Sequence, residues 1–420
     1  MTPLNKAIVR SLDLQLLAWG AILIPLFVFV APKISYWPLV LSGIVGLSRY
    51  AALSSLPPRS LRPLIGWTLA LLSWILFSLL YTLDVTAGLT LFLKLCAYAA
   101  CGVALVGITL DHRAAMWRGA GYAHLAGGLA IAAALGVDYF SGGAVSTLLF
   151  GDGPRLGAVN RNTTAIVYLA LFAWLLCIWL RGYDFTWVAA VPPLLAVVFA
   201  WLFGHFAVVL ALFIGALVFG CAMLRPRLTG VAIALLCAAL VILAPVSGKL
   251  LAPGPWLRSA PVLVQFSAYH RLKIWSFAAD RIMERPLLGW GIDASRRIPG
   301  GDAAIDINRD LGLATRRYET QAVIMPLHPH NAALQVWLEL GIVGALLLAA
   351  LCGGIPIACT RAAWPRASIA AGLAVFSTAY VLAMLSFSLW QSRWHAALWL
   401  AGASAVILLG NGPGQKVRTA

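Results

Sequence analysis

The chain has 420 residues, of which 62% are hydrophobic and only 10% are charged, and its formal net charge is +16. This balance excludes a soluble globular domain. Apolar stretches of about 20 residues, the length a helix needs to cross a bilayer, recur along the chain. Because the strands of a membrane barrel would alternate apolar and polar residues, the composition predicts an all-α polytopic membrane protein.

Hydrophobic runs predict twelve membrane-spanning helices. They lie at 13–32, 36–55, 63–83, 87–108, 119–138, 164–181, 186–203, 205–224, 228–246, 332–357, 367–389 and 393–410. The first run follows Lys6 and Arg10 without a small-residue cleavage site, so it is interpreted as a retained anchor rather than a signal peptide.

The distribution of basic residues predicts the orientation. With the N-terminus inside, fourteen Lys or Arg residues fall in cytoplasmic segments and four fall in short outer loops. This asymmetry follows the positive-inside rule and places both termini in the cytoplasm. The positive charge therefore reflects topology, and no nucleic-acid binding is inferred from it.

The sequence contains no familiar cofactor or metal motif. None of the seven cysteines falls in a predicted outer loop, which leaves no disulfide framework and no cysteine-based metal site there. Phosphate-binding glycine loops and Asp-x-Asp pairs are also missing. We therefore predict that the protein uses no cofactor and no metal.

The polar residues divide the chain into three parts. Helices one to nine occupy 1–248, with a short outer loop at 139–163. A long outer loop occupies 249–331, and the last three helices with a short tail occupy 332–420. The short loop places Arg161 between two asparagines, and the long loop holds eleven basic and seven acidic residues. Arginine binds phosphate through a planar pair of donors, although most of these charges are expected to be merely solvated.

Within the long loop, residues 262–285 are predicted to form an amphipathic helix that ends before Pro286. Arg271 and Trp275 stand one turn apart and therefore share a face. The following PLLGWG, residues 286–291, is predicted to be a turn. The helix either covers a site for a lipid headgroup at the membrane surface or simply packs on the bundle.

Other charged residues in the chain are weaker candidates. Asp302, Asp306 and Asp310 have the spacing of one helix face, and a solvated surface is favoured over a cation site. Lys94 lies in the middle of a predicted span, where structural pairing or snorkelling is favoured over a functional role.

The stretch HPHNAALQVWLELGIVG, residues 328–344, combines titratable groups with the start of an apolar helix. Pro329 keeps His328 and His330 extended, and Asn331 is a good helix N-cap. His330 at a helix N-terminus is disfavoured as a cation, so its neutral form suits a general base. Glu339 should be paired or protonated, and Gly341 and Gly344 are predicted to share a face that allows close helix packing.

These residues resemble the O-antigen ligases of bacterial inner membranes. The resemblance rests on His330-Asn331 followed by Gly341 and Gly344, on Arg271 and Trp275 with PLLGWG, and on a long loop between late spans. The resemblance implies a GT-C-like fold whose long loop is periplasmic. It also implies an enzyme that transfers O-antigen from undecaprenyl pyrophosphate to a sugar hydroxyl of lipid A–core. The reaction would be inverting and independent of metal and ATP.

The resemblance also assigns roles to individual residues. His330 would be the catalytic base, and Arg161 and Arg271 would bind the pyrophosphate. Supporting roles are expected among residues near them: His328, Asn331, Trp275, Arg316, Arg317, Glu339, Gly341 and Gly344. The partners would be the lipid-linked glycan, lipid A–core and membrane lipids.

Three alternatives remain open. O-antigen polymerases and bacterial protein O-oligosaccharyltransferases look related, but neither Arg161 nor Arg271 is followed by glycine at the spacing of polymerase loops, and the chain carries no large C-terminal domain. A transporter of lipid-linked oligosaccharide is the non-enzymatic alternative. Ionisable groups gathered at one side of the membrane, rather than in its middle, favour an enzyme.

Overall fold

The computed structural model describes residues 24, 28, 31–52, 57–150, 156–183, 187–253, 266–310 and 322–410. Within these ranges the protein is a bundle of helices with one two-stranded hairpin. The first half contains α1 (Trp37–Ala52), α2 (Arg62–Ser78), α3 (Val85–Phe140), α4 (Ala144–Phe150), α5 (Leu156–Arg181), α6 (Val191–Leu202) and α7 (Phe206–Leu224).

The second half contains the elements that carry the candidate site. They are α8 (Pro226–Ile242), α9 (Ala244–Leu250), α10 (Phe266–Glu284), β1 (Ala304–Ile305), α11 (Ile307–Asp310), β2 (Ala322–Val323), α12 (Ala332–Arg361), α13 (Arg366–Leu385) and α14 (Ser392–Leu409). Short 3-10 turns lie at Pro32–Ile34, Arg59–Leu61, Val188–Ala190 and Ala294–Arg297.

Small residues allow the helices to approach closely. Helix α7 packs on α13 and α8 packs on α12. Gly215 of α7 has no room for a Cβ, which would lie 2.6 Å from the Thr378 hydroxyl of α13. Close contact of this kind stabilises helix pairs in a bilayer, where apolar side chains gain little from leaving lipid.

Seven helical segments in the described ranges are long and apolar enough to cross a membrane, two of them within α3 at Val85–Asp111 and Met116–Phe140. The number is eight if α8 and α9, bent by 69°, form one span. This confirms an all-α polytopic protein. The predicted count of twelve stays a prediction, because most of the first predicted span lies outside the described residues and several other helices are shorter than the usual length.

The predicted loop at 139–163 is largely helical. It contains α4, and α5 begins at Leu156 rather than at residue 164. Arg161 therefore lies inside a helix and not in a loop before it. The reason is a buried partner: the Arg161 guanidinium pairs with Asp138 near the end of α3, so its charge is neutralised within the protein.

The predicted stacking of three aspartates on one helix face is wrong. Residues between Asp302 and Asp306 form β1, which pairs antiparallel with β2. Only Asp310 belongs to a helix, the short α11, where it pairs with Lys273 of α10 at 2.9 Å. The four-residue spacing was misleading because strand pairing, not helical periodicity, sets the local backbone.

The predicted amphipathic helix is confirmed as α10, and the predicted turn at 286–291 follows it. Its buried stripe is Ile274, Ala278 and Ile282, each at most 1% exposed. This stripe packs against α9 and α12. The helix is therefore part of the bundle, and it carries Arg271 and Trp275 to the start of α12.

Candidate active site

The histidine segment, residues 328–331, leads into α12. Asn331 caps the helix as predicted, since its side chain accepts a hydrogen bond of 3.1 Å from the backbone N–H of Leu334. The indole N–H of Trp275 donates to the carbonyl of Pro329 at 2.9 Å, so α10 holds the segment from the other side. The predicted extended backbone of His330 is wrong: its φ is 54°, in the left-handed region that is uncommon for a residue with a side chain.

The ring of His330 has a defined tautomer. Its Nδ1 lies 3.0 Å from the carbonyl oxygen of Ser386, and a carbonyl can only accept, so Nδ1 carries the proton. The other ring nitrogen, Nε2, is therefore the basic one. Burial lowers the pKa of His330 below its usual range, the Ser386 hydrogen bond opposes this, and Arg271 and His270 lower it further. A neutral imidazole at ordinary pH follows.

His328 holds the backbone of His330 in place and lies close to several positive charges. Its Nδ1 accepts the backbone N–H of His330 at 3.1 Å, and the two rings lie 4.2 Å apart. Burial first, and then His330, Arg296, Arg393 and Arg271, lower the pKa of His328 to about 3. Three arginines therefore act on one neutral histidine, which makes the surrounding space favourable for an anion.

These three arginines come from different parts of the chain. Arg271 lies on α10, Arg296 in the 3-10 turn Ala294–Arg297, and Arg393 in the first turn of α14. Arg393 is one of the four basic residues in the predicted short outer loops, and it was not predicted to be a site residue. Its signal was weak: a short polar interruption, Gln391 to Arg393, between two apolar runs.

Arg271 keeps donors available. Its Nη1 donates to the hydroxyl of Ser267 at 2.6 Å, while its buried Nε has no hydrogen-bond partner among the described residues. Burial lowers the pKa of Arg271, although a guanidinium remains charged at any ordinary pH. A buried donor without a partner is costly, and a phosphate oxygen would satisfy it.

Arg161 has a different environment. It is fully buried and paired with Asp138, and it also donates to the Ser146 hydroxyl at 2.5 Å and to the Asn162 side-chain oxygen at 3.0 Å. One turn further along α5, Thr164 accepts a hydrogen bond of 3.4 Å from Arg393. The structure thus connects the Arg161 region to the histidines through Arg393.

Gly341 interrupts α12, and the turn at 286–291 packs directly against its backbone. Its φ of 64° is not helical, and a Cβ there would collide with the Leu287 carbonyl. The two backbones then bond directly, from Trp290 N–H to the Leu338 carbonyl at 2.8 Å and from Ile342 N–H to the Pro286 carbonyl at 2.9 Å. The predicted role of this glycine in helix–helix packing is wrong, because the close neighbour is a turn and the helix is interrupted.

Gly344 does lie in regular helix, but its neighbours are local. A Cβ at Gly344 would crowd Leu340 and lie 3.1 Å from Val336, both in the preceding turns of α12. The break at Gly341 brings these side chains close to Gly344. The two glycines therefore do not form one packing face, and the pattern marks a helix interruption.

Glu339, predicted to be paired or protonated, is fully buried at this interruption and accepts hydrogen bonds from three elements. Its donors are Asp293 N–H at 2.8 Å, Ser295 Oγ at 2.5 Å, Gln335 Nε2 at 3.1 Å and Trp390 Nε1 at 2.6 Å. With both carboxylate oxygens engaged twice, the side chain is satisfied inside the protein.

Some predicted residues lie elsewhere. Arg316 and Arg317 lie outside the described residues. Lys94 is exposed on the surface of α3. Among the residues that the structure describes, no group of three or more His, Cys, Asp or Glu side chains could hold a metal ion.

Comparison with known proteins gives a consistent match. Residues 204–349 match the model of a family described as O-antigen ligase. The chain is 35% identical over 162 residues to a protein of Rickettsia conorii provisionally named a polysaccharide ligase, covering 38% of this chain and 36% of that protein. A protein of Rickettsia prowazekii with the same kind of name is 34% identical over 167 residues, covering 38% and 37%. The match thus spans little more than a third of either relative.

Proposed function

We propose that this multi-pass membrane protein is a glycosyltransferase of the inner membrane, because residues 204–349 match the model of a family described as O-antigen ligase. It takes O-antigen polysaccharide from undecaprenyl pyrophosphate and joins it to a sugar hydroxyl of lipid A–core. The transfer takes place on the periplasmic side, with both chain termini in the cytoplasm.

The observation that carries this proposal is the tautomer of His330. With Nδ1 donating to the Ser386 carbonyl, Nε2 is a neutral base directed away from that anchor. We propose that Nε2 accepts the proton of the acceptor hydroxyl as its oxygen attacks the anomeric carbon. Such general-base help is commonly worth ~10²–10⁴ in rate.

The leaving group is the second half of the reaction. As the bond from the anomeric carbon to the pyrophosphate oxygen breaks, negative charge grows on that oxygen. Arg271, with its available Nε donor, and the nearby Arg393 and Arg296 would hold this charge. A single displacement of this kind inverts the anomeric centre and needs neither ATP nor a covalent enzyme intermediate.

Arg161 has a supporting role in this scheme. Since Asp138 already neutralises its charge, a pyrophosphate would have to compete with a buried carboxylate for it. We propose that Arg161 fixes the start of α5, so that Thr164 can receive Arg393 at the edge of the site. Arg271 and Arg393 are then the main contacts to the pyrophosphate.

The test is transfer by the purified full-length protein in lipid nanodiscs. The donor is undecaprenyl-pyrophosphate-linked O-antigen, and the acceptor is lipid A–core, a second lipid-linked glycan, or a peptide with free hydroxyls. We expect a product only with lipid A–core. Elongation of the second glycan would identify a polymerase, glycosylated peptide would identify a protein oligosaccharyltransferase, and movement of intact donor across a vesicle membrane would identify a transporter.

Orientation is tested separately by labelling. In a variant without reactive native cysteines, Ala303→Cys near the hairpin should react with a membrane-impermeant thiol reagent added from the periplasm. Arg118→Cys, also exposed, should not react. The reverse pattern would place the candidate site in the cytoplasm and overturn the proposed location.

A further inference from the structure

A buried polar network lies behind the histidine segment. Glu339 and Gln335 stand one turn apart on α12, at 0% and 2% exposed, and they hydrogen-bond to each other. Buried carboxylates and amides are costly unless each of their polar atoms has a partner. Three of those partners come from another part of the chain, the 386–391 connection between α13 and α14, and the others come from the Asp293–Ser295 turn and from within α12.

Gln335 binds this connection at two points. Its Nε2 donates to the Ser388 hydroxyl at 3.1 Å, and its Oε1 accepts the backbone N–H of Leu389 at 3.0 Å. Glu339 adds a third point by accepting the indole N–H of Trp390 at 2.6 Å. Three successive residues of an irregular segment are therefore fixed by two side chains of one helix.

The same connection supplies the acceptor that sets the His330 tautomer. Ser386, two residues before Ser388, presents its carbonyl to His330 Nδ1 at 3.0 Å. We propose that Gln335 and Glu339 are positioning residues that hold the 386–391 connection so that the Ser386 carbonyl keeps the proton on His330 Nδ1 and leaves Nε2 as the base. This inference rests on the proposed function for its catalytic consequence, but the tautomer itself can be observed without any reaction.

Release of the connection has a defined electrostatic consequence. The charged and titratable groups that act on His330 or on the adjacent His328 are Arg271 and His270 on α10, Arg296 in the 3-10 turn, and Arg393 at the start of α14. Arg271 and His270 lower the pKa of His330, and the Ser386 carbonyl is the group that raises it. If that carbonyl moves away, the pKa of His330 falls further and the ring is free to exchange tautomers.

Two near-isosteric variants test the proposal, Glu339→Gln and Gln335→Met. The first replaces one accepting oxygen by an NH₂ group, so at least two of the four donors lose their acceptor. The second keeps the side-chain length but removes both contacts to the connection. Thr378→Val is the matched control, because Thr378 is also a buried hydrogen-bonding residue, accepting from Trp174 at 3.1 Å, but lies on α13 away from the network.

The first measurement is the nitrogen spectrum of histidine-labelled, full-length protein, in which the His330 signal is identified by its loss in His330→Ala. We expect the wild type and Thr378→Val to show Nδ1 protonated and Nε2 bare. Glu339→Gln and Gln335→Met should show a mixture of tautomers. A folded variant of either kind with an unchanged His330 signal would overturn the proposal, whether or not the protein proves to be a ligase.

The second measurement is the kinetics of transfer. In both variants we expect kcat to fall roughly tenfold to a hundredfold, less than the ~10²–10⁴ expected for loss of the base itself. The KM for the lipid-linked donor should stay within about twofold, because a bond behind the base changes its orientation and not donor binding. The acid limb of the profile of kcat against pH should move to lower pH. A tenfold-to-hundredfold rise in KM without a change of kcat would contradict the positioning role.

If a variant does not fold, the pair still decides the question. Glu339→Gln alters the contacts to Asp293 and Ser295 as well as to Trp390, whereas Gln335→Met leaves those contacts in place. Folded Gln335→Met alone therefore tests the link to the connection. If the wild-type protein transfers no glycan but the variants show the predicted tautomer shift, the proposed function is refuted and this inference still stands.

Discussion

Arg161 and Arg271 carry the same side chain and were predicted to share one role, binding the pyrophosphate, yet the structure gives them different environments. Arg161 is fully buried against Asp138, a carboxylate near the end of α3. Arg271 has a buried donor with no partner among the described residues, and it acts on both histidines. The charge of Arg161 is neutralised inside the protein, whereas the charge of Arg271 acts on the histidines of the candidate site.

A structural arginine can be distinguished from a substrate-binding one by the partners of its guanidinium. A buried guanidinium with a carboxylate partner stabilises the fold only while both partners are present. A guanidinium with an unused donor beside a neutral base is ready for an anion from outside. We therefore expect substitutions of Arg271 to lower the rate of transfer, and substitutions of Arg161 or Asp138 to lower the stability of the fold.

The largest effect should come from His330→Ala. We expect kcat to fall by ~10²–10⁴ because the proton acceptor is lost, while donor binding and the melting temperature in detergent stay close to wild type. In the wild type, kcat/KM should fall as the pH drops through the pKa of His330, which lies below its usual range. The neutral form is the base, so activity is present above that pKa and is lost below it.

Wild-type transfer by folded His330→Ala would remove the base from the proposal. Loss of folded protein together with activity would instead indicate a structural role, since His330 also binds the Ser386 carbonyl. Detergent-extracted yield, melting and transfer should therefore be measured on the same preparations.

The next effect tests the comparison directly with Arg271→Lys and Arg161→Lys. Lysine preserves the charge but not the paired donors, so Arg271→Lys should lower transfer by about tenfold or more and raise the KM for the donor while the protein folds normally. Arg161→Lys should lower the melting temperature and the folded yield, because a lysine cannot supply all the bonds that the guanidinium makes to Ser146 and Asn162. A buried polar group left without its partner commonly costs about 1–3 kcal/mol.

The reciprocal variant Asp138→Asn is the control for the second half of this test. It leaves the Arg161 charge buried without its carboxylate and should reproduce the instability of Arg161→Lys. If both of these variants are as stable as wild type but bind the donor poorly, the comparison fails and Arg161 is a substrate contact. Full activity in Arg271→Lys would make Arg271 a solvated charge instead.

Much of this arrangement was predictable from the sequence, but the parts differ in kind. The cap at Asn331, the amphipathic helix α10 and the shared face of Arg271 and Trp275 follow from local spacing, and the structure confirms them. Local rules work there because each feature depends on neighbours within one or two helical turns.

The remaining features depend on partners that are distant in sequence. Nothing near Arg161 indicated that Asp138 would neutralise it, and nothing near Gly341 indicated that a turn fifty residues earlier would insert there. The acceptor for His330 lies 56 residues further along the chain. Such contacts are set by how the helices pack, which spacing alone does not determine.

A smaller effect is expected at His328, which supports His330 rather than reacting. His328→Ala removes the acceptor for the His330 backbone N–H and should lower kcat by about 2- to 10-fold, the equivalent of one neutral hydrogen bond of ~0.5–1.5 kcal/mol. His328→Asn should restore most of the activity, because an asparagine side chain readily accepts from the N–H two residues on. If His328→Ala is more damaging than His330→Ala, the two histidines have been assigned in the wrong order.

The smallest effect should come from removing divalent metal ions. We expect transfer in excess EDTA to stay within about twofold of the untreated rate, because fixed guanidinium groups can stabilise the leaving pyrophosphate as a metal would in other glycosyltransferases. The acidic residues near the site are already engaged, Asp293 with Arg296 at 3.0 Å and Asp310 with Lys273 at 2.9 Å.

The control is the same assay after Mg²⁺ is restored, with Arg271→Lys run in parallel. A rate that collapses in EDTA and recovers with Mg²⁺ in the wild type would show that a cation, and not Arg271 and its neighbours, carries the charge of the leaving group. If only Arg271→Lys gains a dependence on Mg²⁺, the arginine account is strengthened, since the metal then replaces the charge arrangement that the substitution removed.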